Sequence, residues 1–340
     1  MVYSPGEMKP ALLVFSFFSR FASRIKNFLY DRGLLRPRRA PLPVISVGNL
    51  SLGGTEKTPL AMELLGRLIA IGRRPALVSR GYRGRWEKTG GVVSDGRTVF
   101  GTWEEAGDEP YLIARTIPQA GVYVGKNRLS SCRRAAEAGF DIAVLDDGFQ
   151  HRRLARDLDI LLFSPEEKTA WREPFSSFLR SDILFVKSGE AKAPKIERWQ
   201  GRYSGALFAY SVGLRGIIDL RSGESCSVGA LAQKRLLAFC GIARPQRFEE
   251  TLRRAGLTVV SFLPFPDHHP YRAASLGKIC RVFSEKGADA LITTAKDAIK
   301  IAGRIGELGA VPIYILEVGL DIEPGFDDCW RAFLAKSQTP

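Results

Sequence analysis

The stretch Ser51-Leu-Gly-Gly-Thr-Glu-Lys-Thr58 is preceded by the apolar run Pro43-Val-Ile-Ser-Val47 and followed by a helical pattern from Thr58 to Ile71. The first run reads as a buried strand, and Pro59 is tolerated in the first turn of the helix. A glycine-rich turn between strand and helix lets backbone N–H groups wrap phosphate oxygens, and the helix N-terminus favours the negative charge. Such a loop also needs a lysine for the β- and γ-phosphates and a hydroxyl for Mg²⁺. Lys57 and Thr58 occupy those places, and Gly53-Gly54 is the glycine pair of a variant loop. The stretch therefore predicts a P-loop, with Ser51, Leu52, Gly53, Gly54, Thr55, Glu56, Lys57 and Thr58 lining the nucleotide. One residue departs from the pattern. Glu56 stands where such loops carry glycine, and a carboxylate there either repels phosphate or turns outward.

Working outward, strand and helix patterns alternate. Pro75–Ser79, Val122–Val124, Ile142–Leu145, Leu158–Phe163 and Ile183–Val186 read as strands, and Arg128–Ala138 as a helix. A hairpin is expected over Gly91–Phe100 around Asp95-Gly96, and a helix over Asp108–Ile117 with Asp108 as its cap. Alternation of this kind predicts an α/β fold, a parallel sheet with helices on both faces. Beyond about residue 205, Leu207–Val212 and Ile217–Leu220 read as a connecting β-ribbon. A second alternation then runs through strands at 236–239, 257–262, 290–293 and 311–315 and helices at 245–255 and 273–286. The expected organisation is an N-terminal helix in 1–35, a P-loop core in 36–205, a ribbon in 206–225 and a smaller α/β domain in 226–340. A last helix near 326–335 is a candidate to pack back on the core.

The chain's 340 residues suit two domains, and its 45% hydrophobic and 25% charged content is ordinary for a globular protein. The net charge of +14 points to an anionic partner, whether nucleic acid, phosphorylated substrate or acidic membrane. Residues 1–40 hold eight Lys and Arg against Glu7 and Asp31. Val14, Phe18, Phe21, Ile25 and Phe28 share one helical face, with Ser16, Ser23, Arg24 and Asn27 off it. This segment is too short and too interrupted to span a bilayer and has its charges on the wrong side for a signal peptide. It fits a helix in a membrane interface or a helix packed on its own domain. Five cysteines without a CxxC pair fit reduced thiols rather than a disulfide framework or zinc site. No recognition-helix, zinc or RNP-like motif supports a nucleic-acid partner.

A second chemical signal is Phe140-Asp-Ile-Ala-Val-Leu-Asp-Asp-Gly-Phe-Gln-His151. An apolar strand ending in Asp146-Asp147, downstream of a P-loop, resembles a Walker B element whose carboxylate reaches Mg²⁺ directly or through water, the alternative being that these carboxylates cap a turn. The three histidines, His151, His268 and His269, all lie in strand-end loops. Asp108 serves either as a helix cap or as a general base, provided a cation or a histidine holds it.

Taken in order, Asn49-Leu-Ser-Leu-Gly-Gly-Thr-x-Lys-Thr-Pro59, Ser79-Arg-Gly-Tyr82, Gly107-Asp-Glu-Pro110, Asp146-Asp-Gly-Phe-Gln-His151, Arg172-Glu-Pro174, Asp267-His268 and Thr294-Ala-Lys-Asp297 resemble the tetraacyldisaccharide 4′-kinases, the lipid A 4′-kinases. The resemblance implies transfer of the ATP γ-phosphate to the 4′-hydroxyl of a tetraacylated glucosamine disaccharide 1-phosphate, with ATP and Mg²⁺. It implies the cytoplasmic face of a Gram-negative inner membrane, an anionic membrane surface as partner, and no obligate protein partner. By position it makes Lys57 and Thr58 ligands of phosphate and Mg²⁺, with Asp146 and Asp147 near the metal. It makes Asp108 the catalytic aspartate and His268 its partner, contributed by the second domain and brought in by closure. Asn49, Tyr82, Gln150, His151, Arg172 and Glu173 match headgroup positions. Glu56 alone keeps two alternatives in play: a degenerate lipid-binding homologue and a P-loop switch ATPase.

Overall fold

The computed structural model describes residues 23–51, 56–164, 171–190 and 198–336. The glycine pair of the expected P-loop and the helical pattern before residue 23 lie outside the described residues. The fold is mixed α/β, dominated by parallel strands, and the chain divides into two compact units. The first takes in the described residues up to Ser79, then Asn127–Ser211, and the chain from Ile322 onward; the second is Arg80–Lys126 with Val212–Asp321. Residues 80–126, which the sequence reading leaves inside the core segment 36–205, thus belong with the C-terminal half.

The first unit holds β1 (Val44–Asn49), α1 (Lys57–Ala70) and β2 (Pro75–Ser79), then, after an excursion into the second unit, α3 (Arg128–Glu137), β5 (Ile142–Asp146), β6 (Leu158–Phe163) and β7 (Ile183–Lys187). The first half of β8 (Ala206–Asp219) completes its sheet in the order β8-β7-β6-β1-β5-β2. Every pairing is parallel. The strands β1, β2, β5 and β6 are buried along their whole length, which is why they read as unbroken apolar runs rather than alternating ones. Helix α1 contributes Leu60, Ala61, Leu64, Leu65 and Leu68 to the core. Strand β1 lies between β5 and β6, where the strand order reverses. The carboxyl end of such a strand is where open parallel sheets bind their ligands.

The C-terminal helix α7 (Phe326–Lys336) belongs to this first unit. Phe326 packs against Phe185 and Phe208 at ring-centroid distances of 5.1 and 5.7 Å, and Asp327 pairs with Arg67. Residues 23–31 are helical, with Ile25 and Phe28 about half exposed. The opposite, polar side is the one that docks. Ser23 donates to the Arg172 carbonyl, Lys26 to the Gln150 carbonyl and Asn27 to the Glu173 carboxylate. No helix among the described residues is long and apolar enough to cross a membrane.

The second unit contains β3 (Gly91–Asp95), α2 (Asp108–Thr116) and β4 (Gly121–Val124), followed after β8 by β9 (Ser225–Cys226), β10 (Arg235–Cys240), α4 (Pro245–Arg254), β11 (Thr258–Pro264), α5 (Ala273–Glu285), β12 (Ala290–Thr294), α6 (Ala295–Ile301) and β13 (Ile313–Ile322). Its parallel strands run β11-β10-β12-β13. Side chains of β10 alternate. Leu236, Ala238 and Cys240 join Phe248 and Leu252 of α4, while Leu237 and Phe239 join Leu276 and Ile279 of α5.

Two expectations are corrected here. The Asp95-Gly96 turn closes through a single bridge, Ser94 to Val99, and β3 takes β4 as its antiparallel partner instead. The two ribbon strands read from 207–212 and 217–220 are one 14-residue strand, β8. Gly213 and Gly216, which look like a break in the pattern, continue the extended backbone.

Candidate active site

The carboxyl ends of β1 and β5 carry the chemistry of the first unit. Val47 pairs with Asp146 in register, so Asn49 and the turn 147–149 lie side by side. That turn comes so close to β1 that a Cβ on Gly48 would sit 2.4 Å from the Phe149 Cβ, so only glycine fits there. Asp147 takes a left-handed conformation, with φ 53°. Its carboxylate receives two contacts from the Arg172 guanidinium, at 2.8 and 2.7 Å, and an ion pair from Lys57 Nζ at 3.0 Å. Lys57 also donates to Asn49 Oδ1 at 3.0 Å. Burial opposes ionisation of Asp147, but Lys57 and Arg172 outweigh it and hold the carboxyl far below the usual range. Asp146 is buried and accepts from Ser79 Oγ at 3.2 Å.

Four sequence-predicted residues, Asn49, Lys57, Asp147 and Arg172, thus form one polar cluster. Gln150 joins it by donating to the Asn49 carbonyl at 2.8 Å. The Thr58 hydroxyl and the Asp146 carboxylate are hard oxygen donors, the chemistry Mg²⁺ accepts. Among the described residues no three His, Cys, Asp or Glu converge into a cage. Magnesium at a phosphoryl-transfer site needs none, because substrate phosphate and water fill most of its shell. Asp147, already gripped by two cations, braces Lys57 and Arg172.

Glu56 precedes α1 with φ 20° and ψ 22° and gives the helix no side-chain cap. Its carboxylate accepts a hydrogen bond from the Tyr210 hydroxyl at 3.3 Å, on β8. A backbone at the edge of the left-handed region explains why loops of this kind prefer glycine there.

A basic basin adjoins this cluster. His151 lies among Arg128, Arg153, Arg156 and Lys26; burial first, and then those cations, push its pKa down to about 4. Glu173 is wholly buried, accepting from Arg180 at 2.6 Å and from Asn27 at 2.9 Å. Arg180 also stacks over the Phe149 ring at 4.5 Å.

In the second unit, Asp108 is the first residue of α2 rather than its cap. Gly107, with φ 91°, precedes it, and no side chain caps the helix. The Asp108 carboxylate turns instead to His268, whose Nδ1 lies 3.0 Å from Oδ2, and to Lys300, whose Nζ lies 2.8 Å from the same oxygen. Burial alone would raise the pKa of Asp108; His268, Lys300 and Lys296 outweigh it and lower it. His268 Nε2 faces Lys296 Nζ at 3.4 Å. An ammonium only donates, so Nε2 is the acceptor and Nδ1–H donates to Asp108. Lys296 bonds Glu109 at 2.6 Å. The Tyr82 ring meets His268 edge-on at 5.9 Å and has the guanidinium groups of Arg80 and Arg83 over it at 5.9 and 5.5 Å.

Asp108 and His268 therefore belong to the same unit and are already joined. The expectation that closure between domains brings them together does not hold, because residues 80–126 fold with the C-terminal half. Sequence reasoning missed Lys300, Arg180 and Asn27. The only available signal was spacing: Lys296, Asp297 and Lys300 fall on one face of a single short helix.

A parallel sheet with a braced lysine beyond its central strand, together with a buried aspartate–histidine pair, defines the class as an α/β phosphotransferase. The family model for tetraacyldisaccharide-1-P 4′-kinase matches residues 8–335, and the chain belongs to that family. The tetraacyldisaccharide 4′-kinase of Syntrophus aciditrophicus is 38% identical over 92% of this chain and 89% of its own. That of Pelobacter propionicus is 39% identical over 86% of this chain and 83% of its own. Among solved structures, the "apo" form of LpxK from Aquifex aeolicus in complex with ATP matches with a TM-score of 0.77 and 30% identity, over 96% of this chain and 98% of that one.

Proposed function

We propose that this chain transfers the γ-phosphate of ATP to the 4′-hydroxyl of a tetraacylated glucosamine disaccharide 1-phosphate, with Asp108 as general base. The observation that carries the assignment of the base is the Asp108–His268 pair. His268 and Lys300 both bind Oδ2, which leaves Oδ1 to take a proton. As the hydroxyl oxygen attacks the γ-phosphorus, its proton passes to Oδ1 and ADP departs with the bond it breaks. His268, fixed as the Nδ1–H tautomer, stabilises the ionised carboxylate before the transfer.

The first unit supplies the phosphate side. The P-loop reading of 51–58 is supported by Lys57, held ready by Asn49 and Asp147 in a position it leaves when phosphate offers more charge. Thr58 and Asp146 are the residues suited to Mg²⁺. When bound, the ion neutralises charge on the β- and γ-phosphates. The basin around His151, with Gln150, Arg172 and Glu173, suits a phosphorylated sugar headgroup: a neutral imidazole among cations gives up no charge when an anion arrives. Tyr82 is about half exposed and has Arg80 and Arg83 over its ring, cations that suit a phosphorylated headgroup. The helix at 23–31 turns its polar side to the protein and leaves Ile25 and Phe28 outward, which supports peripheral attachment to the cytoplasmic face of an inner membrane.

The test is ³²P transfer from ATP to a diacylglucosamine disaccharide 1-phosphate in mixed micelles, run beside calorimetric ATP binding. Asp108→Asn is expected to abolish transfer with ATP affinity nearly intact, whereas Lys57→Ala loses both. Near wild-type turnover in Asp108→Asn would remove Asp108 from the chemistry.

A further inference from the structure

The reading of Asp108 as base leaves α6 unexplained, although it brings a wholly buried lysine against that carboxylate. Lys300 Nζ lies 2.8 Å from Asp108 Oδ2 and 3.4 Å from Asp297 Oδ1, and the Tyr271 ring lies 6.0 Å away. Asp297, equally buried, is itself anchored: its Oδ2 accepts the Gly241 N–H at 2.9 Å and the Thr294 hydroxyl at 2.7 Å. A buried charge cluster of this kind gives no dependable gain in stability over apolar packing, so stability does not account for its presence. Its geometry does have a consequence. Thr294 and Gly241 fix Asp297, Asp297 fixes Lys300, and Lys300 fixes one oxygen of Asp108.

We propose that Lys300 is a positioning residue for phosphoryl transfer: together with His268 it pins Asp108 Oδ2, keeps the carboxylate ionised and turns Oδ1 toward the acceptor hydroxyl. The proposal rests on the assignment of Asp108 as base. The charged and titratable groups facing Asp108 are His268 and Asp267 from the loop after β11, Lys296, Asp297 and Lys300 from α6, Glu109 from its own helix, and Tyr271 beneath Lys300. Of these, Lys300 is the cation in direct contact with the carboxylate. Lys296 reaches Glu109 and His268 instead, so the two lysines of α6 are not interchangeable.

The experiment measures kcat against pH and KM for ATP in four full-length variants: Asp108→Asn, Lys300→Met, Lys300→Arg and the double variant Lys300→Met/Asp297→Asn. Circular dichroism melts accompany each. Lys300→Met is expected to lose about 100-fold in kcat, the scale of a misplaced catalytic group, with KM for ATP nearly unchanged. Its acid limb moves up by about 1–3 pH units, as a carboxylate does on losing an adjacent cation. The double variant removes the Asp297 charge that Lys300→Met would strand, leaving only Asp108 to lose its cation, so it disturbs the fold less and shows the same acid-limb shift even if Lys300→Met unfolds. Lys300→Arg retains the charge and the wild-type acid limb, with kcat only partly lowered. If the double variant is folded, turns over like wild type and titrates like wild type while Asp108→Asn is inactive, Lys300 is structural and the proposal fails alone. If Asp108→Asn stays active, the assignment of the base fails instead.

Discussion

Replacing Glu56 by glycine tests whether the departure from the loop pattern costs the enzyme anything. The residue lies at φ 20°, a conformation that costs an L-residue about 1–2 kcal/mol and glycine nothing. Its carboxylate accepts from Tyr210 at 3.3 Å, a long bond on a half-buried group, worth about 1 kcal/mol. Glycine also adds freedom to the unfolded chain, costing about 0.5–1 kcal/mol. These terms nearly cancel, so Glu56→Gly is expected to change stability by no more than about 1 kcal/mol, a few degrees in Tm. The same geometry bears on nucleotide binding. A carboxylate turned toward bound phosphate at about 4 Å would oppose it by about 1 kcal/mol in water and about 4 kcal/mol at a protein surface. Removing it would then tighten ATP binding between about 5-fold and 1000-fold. Because the carboxylate is engaged with Tyr210, we expect ATP affinity and kcat within about threefold of wild type, read by calorimetry and steady-state transfer. Tyr210→Phe, which removes that hydrogen bond, should weaken ATP binding more than Glu56→Gly changes it. A tenfold or greater gain in affinity or turnover for Glu56→Gly refutes the reasoning.

Two further outcomes follow from the first unit. His151 titrates at about 4 in the folded chain against the ordinary 6.5 of an unperturbed imidazole, so the unfolded chain takes up a proton that the folded chain refuses. The His151 contribution to stability is therefore flat above pH 6.5 and is lost as the pH drops from 6.5 toward 4, by about 2 kcal/mol after allowance for partial exposure. His151→Gln should remove that part of the acid sensitivity, seen in urea midpoints at pH 7 and pH 4.5; an unchanged pH dependence would contradict the burial argument. Ile25→Asp/Phe28→Asp should reduce salt-sensitive binding to phosphatidylglycerol vesicles at least tenfold with little change in melting temperature, because both side chains are about half exposed. Unchanged vesicle binding would dissociate this helix from the membrane.

Local chemistry is why so much was legible from the sequence. Buried parallel strands must be apolar along their length, so Leu158–Phe163 and Pro75–Ser79 could be read to the residue. A lysine and a hydroxyl between strand and helix, and two aspartates at a strand end, are local marks, which is why a phosphate and metal reading of them needed no tertiary information. The order of the motifs carried the family. What the sequence could not decide were relations between segments far apart in the chain. Local pattern left Asp108 as either a helix cap or a general base, and only the family resemblance paired it with His268; its partners lie 160 and 192 positions away and meet it only once residues 80–126 fold with the C-terminal half. Lys300 carries only a faint local mark, its spacing from Lys296 and Asp297 on one short helix. Its charge becomes intelligible only when tertiary packing strips it of water between two carboxylates. Asn27 likewise reads as the polar side of a surface helix, yet tertiary contact makes that side the docked one, because a buried Glu173 must be hydrogen-bonded and a half-exposed Phe28 need not be covered by protein.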